Sequence, residues 1–202
     1  MAKLIVYYAH PGQKYSRANA TLVAQARAVD GITIVDLYAE YPRFDIRISR
    51  EQQRLLDHDV ILFQFPMFWY STPSLLKEWQ DLVLEHGFAY GAGGDKLKGK
   101  YMMAAVTAAG DELAYSEQGY QKYPIRTFLT PLERTARLCH MEFVAPYVLY
   151  GALDARDDGR LESHVSTYRR LLEGIRDDRL DYQSAVAADV LEHDSVPLKA
   201  EA

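Results

Sequence analysis

Cysteine is almost missing from this 202-residue chain: Cys139 stands alone, so no internal disulfide can form, which suits a reducing compartment. Long apolar runs are missing as well. The longest, Leu4–Ala9 and Tyr101–Val106, hold six residues each, against the roughly 20 that a bilayer-spanning helix needs. Lys3, that short stretch and then His10-Pro11 do not make a signal peptide, so a cytoplasmic location is expected. Positive charge is not in excess: 23 Lys and Arg against 28 Asp and Glu leave −5, which excludes a global basic field for nucleic-acid phosphates. The histidines at 10, 58, 86, 140, 164 and 193 lack H-E-x-x-H or comparable spacing, so no metal site is expected. No Ser–His–Asp or Cys–His pattern offers a side-chain nucleophile. Gly91–Gly94 lacks the order and setting of a G-x-G-x-x-G fingerprint. Internal repeats, low-complexity tracts and interdomain linkers are absent too.

What is present is the make-up of one globular domain. Apolar residues are 49% and charged residues 25%, close to soluble averages of about 45–50% and about 25%. The length fits a single domain with a real core. Short apolar runs alternate with helix-like stretches, the signature of a parallel α/β sheet. Leu4–Ala9 is continuously apolar, as a strand buried on both faces must be. Further strands are expected at Ile32–Leu37, Val60–Phe65, Tyr101–Thr107 and Phe143–Leu149, the last interrupted at Pro146. Helices are expected from Ser16 to Val29, Ser49 to Leu56, Pro73 to near Gly87, Thr127 to Cys139, and along Leu161, Val165, Tyr168, Leu172 and Ile175. Gly87–Gly99 reads as an irregular loop, holding five of the 12 glycines. The fold class is α/β: a flavodoxin-like, doubly wound, five-stranded parallel sheet in three α/β/α layers, residues 1–180. Residues 181–202 read as a solvated tail carrying Glu192, Asp194 and Glu201.

Ligands of such sheets bind beyond the carboxyl ends of the strands, so the strand ends hold the chemistry. After the first strand come His10-Pro11-Gly12 and then Ser16-Arg17-Ala18-Asn19, opening a helix whose first N–H groups suit a phosphate. After the third come Met67, Phe68, Trp69 and Tyr70, aromatic where a loop is usually polar. After the fourth come Thr107, Ala108, Ala109 and Gly110, small enough for a flat ligand to approach the backbone. A phosphate seat, an aromatic wall and a thin floor together suit a flavin mononucleotide. Each has a plainer reading. His10 can cap a strand, Ser16–Asn19 can be an ordinary helix start, and the aromatic residues can pack a core or an interface.

Ala9-His10-Pro11, Ser16-x-Ala18-Asn19, Gln64-x-Pro66-Met67-x-Trp69-Tyr70-Ser71-x-Pro73 and His86-Gly87-x-Ala89-Tyr90-Gly91 occur in this order. Together they resemble the flavodoxin-like NAD(P)H:quinone oxidoreductases. Within that family they are most similar to the flavoprotein ancillary subunits of bacterial glutathione-regulated potassium-efflux systems. The resemblance runs from Lys3 to Arg176. It implies bound FMN, with FAD confined to longer members, NAD(P)H as co-substrate, two-electron quinone reduction and a homodimer with the site at its interface. It implies flavin contacts from His10, Ser16–Asn19, Met67–Tyr70 and Thr107–Gly110, and substrate contacts from Phe68 and Tyr90. It also implies a catalytic Tyr115, whose histidine partner in relatives is replaced here by Gln121, while Thr-Ala-Ala-Gly replaces Thr-Thr-Gly-Gly. Two other roles stay open: a regulatory subunit on the cytoplasmic domain of a potassium–proton antiporter, and a one-electron carrier like flavodoxin.

Overall fold

The computed structural model describes residues 1–12 and 16–200. In chain order the elements are β1 (Leu4–Tyr8), α1 (Ala18–Arg27), β2 (Thr33–Asp36), α2 (Leu37–Glu40), α3 (Ile48–Asp57), β3 (Val60–Pro66) and α4 (Ser74–Val83). They continue as β4 (Tyr101–Thr107), α5 (Ile125–Phe128), α6 (Thr130–Leu138), β5 (Glu142–Phe143), β6 (Tyr147–Leu149), α7 (Arg160–Arg176) and α8 (Tyr182–Ala187). Every strand pairing is parallel, in the order β2-β1-β3-β4, with β5 and then β6 on the far side of β4. The order turns back at β1 and β3, and the carboxyl ends flanking that reversal are where a ligand crevice opens.

Side-chain alternation along the central strands divides the core in two. Ile5, Tyr7, Ile61, Phe63, Met102 and Ala104 face α4 and α6, packing on Leu76, Trp79, Leu132 and Ala136. Leu4, Val6, Val60, Leu62, Met103 and Ala105 face α1 and α7, packing on Leu22, Ala26, Tyr168 and Leu172. With helices on both faces, β1 and β3 are buried at every position and β4 at every position but Tyr101, which is why these strand sequences run apolar without alternation. Glu51 of α3 is the one fully buried acid in the first of these layers. Tyr41 donates to it at 2.5 Å, Trp79 Nε1 at 3.1 Å and Arg54 at 2.6 Å, so the charge is both paired and hydrogen-bonded.

The structure departs from the sequence reading at five places. The helix expected from Ser16 begins at Ala18, and Ser16 instead receives the N–H of Ala20 through its Oγ at 3.0 Å. The helix from Pro73 stops at Val83 rather than near Gly87, because Gly87 N–H closes a turn onto the Tyr90 carbonyl at 2.8 Å. The stretch Thr127–Cys139 is two helices, since Pro131 in the first turn of α6 has no N–H to continue α5. The fifth strand is split into β5 and β6 around Pro146. The tail also differs: α8 is capped by Asp181, and Leu191 is buried. Isolated apolar residues held by tertiary contacts leave no period for a sequence reading to find. Glu201 lies outside the described residues.

His164 of α7 is buried against Tyr147, ring centroids 4.1 Å apart, and burial, with the His193 charge adding to it, pushes it down to about 3. The unfolded chain takes up a proton near pH 6.5 that the folded one refuses. Stability therefore falls as pH drops below 6.5, by about 1.4 kcal/mol per unit. His164→Gln should flatten that part of the profile in urea unfolding between pH 6.5 and 4; parallel profiles for variant and parent would rule out His164 as its source.

Candidate functional site

A cavity of about 560 Å³ opens at the carboxyl ends of β1, β3 and β4. Its lining includes His10, Ser16, Arg17, Ala18, Asn19, Met67, Phe68, Thr107, Ala108 and Ala109. Three separate strand-end segments thus converge on one space. Pro66, which heads the segment at the end of the third strand but was not among the expected contacts, completes it with Ala152 and Leu153, which the sequence reading missed. Ala152 and Leu153 follow β6, whose end at Leu149 was expected, so the strand-end rule carried on to that strand would have reached them.

The helix start supplies donors. At the first turn of α1 the N–H groups of Ala18 and Asn19 have no intrahelical acceptor, and the helix dipole adds positive potential there. The Ser16 hydroxyl stands at this turn, and exposed Arg17 adds a full charge. His10 is nearly buried, and Gly12 N–H donates to its Nδ1 at 3.2 Å, which assigns the ring proton to Nε2. Burial lowers the pKa of His10, so the ring stays neutral at pH 7 with Nε2–H as a donor.

Asn19 takes a part its sequence position does not suggest. Only 3% exposed, it donates from Nδ2 to Thr107 Oγ1 at 2.6 Å. Gln64, the lone polar residue inside β3, donates from Nε2 to the Asn19 carbonyl at 3.0 Å and to its Oδ1 at 3.3 Å. Tyr168 of α7 donates its hydroxyl to Gln64 Oε1 at 3.0 Å. This buried chain ties the start of α1 and the end of β4 to the middle of the sheet. The Asn19 amide therefore serves inward, and the backbone of the helix start is what faces a ligand. The signal for Gln64 was available: a single amide in an otherwise apolar buried strand must be satisfied by something.

The floor is held from both sides. Met67 N–H donates to the Thr107 carbonyl at 2.9 Å, Ala108 N–H to Leu149 at 2.9 Å, and Gly151 N–H to Gly110 at 2.8 Å. Gly110 itself lies outside the lining, close under the rings of Tyr115 and Tyr120; a Cβ there would sit 2.9 Å from Tyr120 Oη. Beyond Met67 the chain makes a tight reversal, with Phe68 and Ser71 exchanging N–H···O bonds of 3.1 and 3.0 Å. Trp69 and Tyr70 occupy its two central positions at φ 47° and 64°, a conformation hairpin turns normally reserve for Asn and Gly. Each costs about 1–2 kcal/mol. Phe68 edge-on to His10 and Tyr70 stacked on Phe128 hold the turn in place. Met67 N–H is taken by Thr107 and those of Phe68 and Ser71 by each other's carbonyls, so the N–H groups of Trp69 and Tyr70 are the ones in this turn without a partner among the described residues. Trp69, 92% exposed at the tip, and Tyr70 lie outside the lining.

Tyr115 and Gln121 stand beside the cavity rather than in its wall. Tyr115 sits at the end of a short 3-10 turn, packed on Phe128 and Tyr150, and burial raises its pKa, so it remains a donor throughout the neutral range. The Gln121 N–H binds the Ala114 carbonyl at 3.1 Å. Tyr90 lies elsewhere: with Ser71, Thr72, Phe128, Leu138 and Cys139 it lines a second groove of about 320 Å³. Phe68 and Tyr90 therefore do not share a cavity within one chain. Among the described residues no group of His, Cys, Asp and Glu is placed to hold a metal ion, and no helix is long and apolar enough to cross a membrane.

A family model described as a flavodoxin-like fold matches residues 2–172. The chain belongs to this family. Among its relatives is the glutathione-regulated potassium-efflux system ancillary protein KefG of Serratia proteamaculans, 46% identical over 166 residues, covering 82% of this chain and 90% of that one. Among solved structures, a chain described as a thermophilic tryptophan halogenase from Streptomycin violaceusniger superposes with TM-score 0.80 at 39% identity, covering 83% and 96%. The general stress protein 14 of Treponema denticola, solved in complex with FMN, has TM-score 0.80 at 31% identity, covering 86% and 99%. An NADPH-quinone reductase from P. pentosaceus has TM-score 0.72 at 26% identity, covering 83% and 96%. The flavodoxin-like fold therefore carries different named chemistries among these proteins, and reaction has to be argued from the site.

The buried chain through Gln64 makes a testable unit. Tyr168→Phe leaves Gln64 Oε1 without its donor and should cost about 1–3 kcal/mol in urea unfolding. Combined with Asn19→Ala, the double variant should deviate from additivity by about 0.5 kcal/mol or more. Strict additivity would mean the four residues do not act together.

Proposed function

We propose that this protein is an FMN-dependent oxidoreductase that reduces quinones with NAD(P)H, and that it serves as the ancillary flavoprotein of a potassium-efflux system. The observation that carries the flavin reading is the convergence of a helix start, a floor of small residues and an apolar edge in one cavity. The residues fit the group. An FMN phosphate suits the α1 N–H groups, Ser16 and Arg17, and a flat ring suits Thr107–Ala109, where no large side chain intervenes. The FMN-bound Treponema neighbour supports the cofactor, the P. pentosaceus reductase supports the acceptor, and the KefG relatives support the ancillary role.

When bound, FMN supplies two-electron transfer between a nicotinamide and a quinone. This chain's residues bind and orient. Ser16, Arg17 and the α1 N–H groups hold phosphate, and His10 Nε2–H donates nearby. The N–H groups of Trp69 and Tyr70 can stabilise negative charge at a ring edge, already oriented by the strained turn. Tyr115, kept protonated by burial, offers a hydrogen bond at the rim. Gln121, replacing a titrating residue, holds its loop through Ala114 without moving a proton. The KefG relationship supports a cytoplasmic protein held to the inner membrane through a transporter partner.

The site is completed by a second copy in this reading. Phe68 and Leu153 line the cavity as exposed apolar side chains, and Trp69 and Tyr70 stand exposed on the turn that follows Phe68. Such a rim suits an isologous interface, which would bring one protomer's Tyr90 groove toward the other's Phe68.

Purified protein should be yellow, release a chromophore with the mass of FMN, and oxidise NAD(P)H faster when a quinone is added. Protein that remains colourless after incubation with excess FMN would overturn the reading. Ser16→Ala with Arg17→Ala should weaken FMN binding by about tenfold, equivalent to about 1.4 kcal/mol, with the far-ultraviolet circular dichroism unchanged. Sedimentation equilibrium should give about 46 kDa, two copies of the 23.0 kDa chain. A monomer with full quinone reductase activity would exclude the shared site.

A further inference from the structure

The family match ends at residue 172, yet the chain beyond α7 continues as packed structure. It first lies along the outer edge of the sheet. Ala145 N–H donates to the Ala185 carbonyl at 3.0 Å, Leu191 N–H to Pro146 at 2.8 Å, and Val148 N–H to Leu191 at 2.9 Å. Leu191 thereby forms a parallel bridge to Tyr147 of β6. The chain then returns to α7. Thr167 Oγ1 donates to the His193 carbonyl at 2.9 Å, Leu198 bridges Leu180, and Asp181 N–H donates to Pro197 at 2.9 Å.

Between these anchors the segment meets α5. The Arg126 guanidinium donates to the carbonyls of Ala188 and Asp189, and pairs with Glu133 at 3.4 Å. Val190 packs against the cluster of Ile125, Val148, Tyr115 and Tyr150. α5 is a single turn of four residues and cannot hold its own orientation, since helices this short are not stable alone. Two residues beyond Arg126, the Phe128 ring lies 5.2 Å from Tyr70 and 5.8 Å from Tyr115. Clamping Arg126 therefore fixes the ring against which both rim tyrosines rest. The phosphate seat is built on α1, whose Ala18 packs in the layer that also takes Ala185 and Leu191, but none of Ser16–Asn19 packs in the Val190 cluster or bonds to Arg126.

We infer that residues 181–198 form a strap that positions the aromatic rim of the site through Arg126 and Val190, so that it sets how the electron acceptor is held while leaving the FMN phosphate seat unaffected. Arg126 is a positioning residue, and its charge-assisted bonds to two successive carbonyls are what a fork-shaped donor makes and a shorter amide cannot. The inference rests on the flavin reading above.

The test uses the full-length protein. Arg126→Gln and Val190→Ala loosen the strap at α5, and Thr167→Val loosens it at its far anchor only. Amide hydrogen exchange is followed in peptides covering 113–129 and 181–198 of the apoprotein, and FMN affinity and quinone KM in the loaded one. Arg126→Gln should speed exchange in 113–129 and raise quinone KM about 3–10-fold, because small misplacements near the reacting groups are costly. FMN affinity should stay within about twofold, since Ser16–Asn19 share no partner with Arg126 or Val190. Val190→Ala should act in the same direction, and Thr167→Val should leave 113–129 and KM unchanged. Faster exchange confined to 181–198, or an unchanged KM in Arg126→Gln, would reduce the strap to an edge cover and overturn the proposal. If no variant or parent binds FMN, the flavin reading fails, and exchange in 113–129 alone decides whether the strap orders the rim.

Discussion

A parallel sheet covered by helices on both faces leaves nowhere for a polar side chain in its central strands, and β3 nevertheless carries Gln64 with no exposed surface. An amide buried without partners costs about 1–3 kcal/mol for each group left unmet. Here both ends are satisfied, by Asn19 on one side and Tyr168 on the other. Meeting that requirement joins α1, β3, β4 and α7 at one point, just below the cavity. The first turn of α1 cannot slide along the sheet without breaking the Asn19–Thr107 bond, so the ligand-facing N–H groups inherit the rigidity of the sheet. Polar burial, an expense in any core, becomes a locating device when every member of the network is satisfied.

The second constraint works by strain instead. Two consecutive non-glycine residues in the left-handed region are an unusual way to end a strand, and flexible chain would relax out of it. The turn persists because its flanks are fixed: Met67 to the end of β4, Phe68 against His10, and Tyr70 against Phe128. What the strain yields is orientation. The N–H groups of Trp69 and Tyr70 have no partner among the described residues, and an indole stands in solvent. Neither outcome helps an isolated chain fold, and both are useful at the edge of a site or an interface.

Much of this was legible in the residues. The nearly continuous apolar runs gave β1, β3 and β4, because burial on both faces removes the alternation that would otherwise blur them. The three strand-end segments were legible too, since the C-terminal edge of a parallel sheet is where function concentrates, and the structure draws them into one cavity. What escaped depends on distance rather than pattern. Nothing near Asn19 in the sequence reveals that its amide meets Thr107, 88 positions away. Nothing around Tyr90 shows that it lies in a groove apart from Phe68. The segment after α7 was read as a solvated tail because its buried residues, Ala185 and Leu191, follow no helical or strand period. Their burial comes from docking on an edge that the chain completes only at β6.

The sheet therefore partitions the site between two supports that share little. On the α1 and α7 side, hydrogen bonds fix a polar seat through the strand interior. On the α5 side, aromatic rings fix a rim through a one-turn helix and the segment that clamps it. Hydrogen bonds specify position to a fraction of an ångström, whereas ring contacts tolerate sliding. A tightly held ligand and an exchangeable one place different demands on a protein. A resident group needs the first kind of support. Successive partners of different shape entering the same space need the second, with just enough restraint from behind to keep the wall standing. The division seen here matches those two demands, and it explains why the polar network sits under the seat while exposed aromatics stand beside the cavity with the strap behind α5.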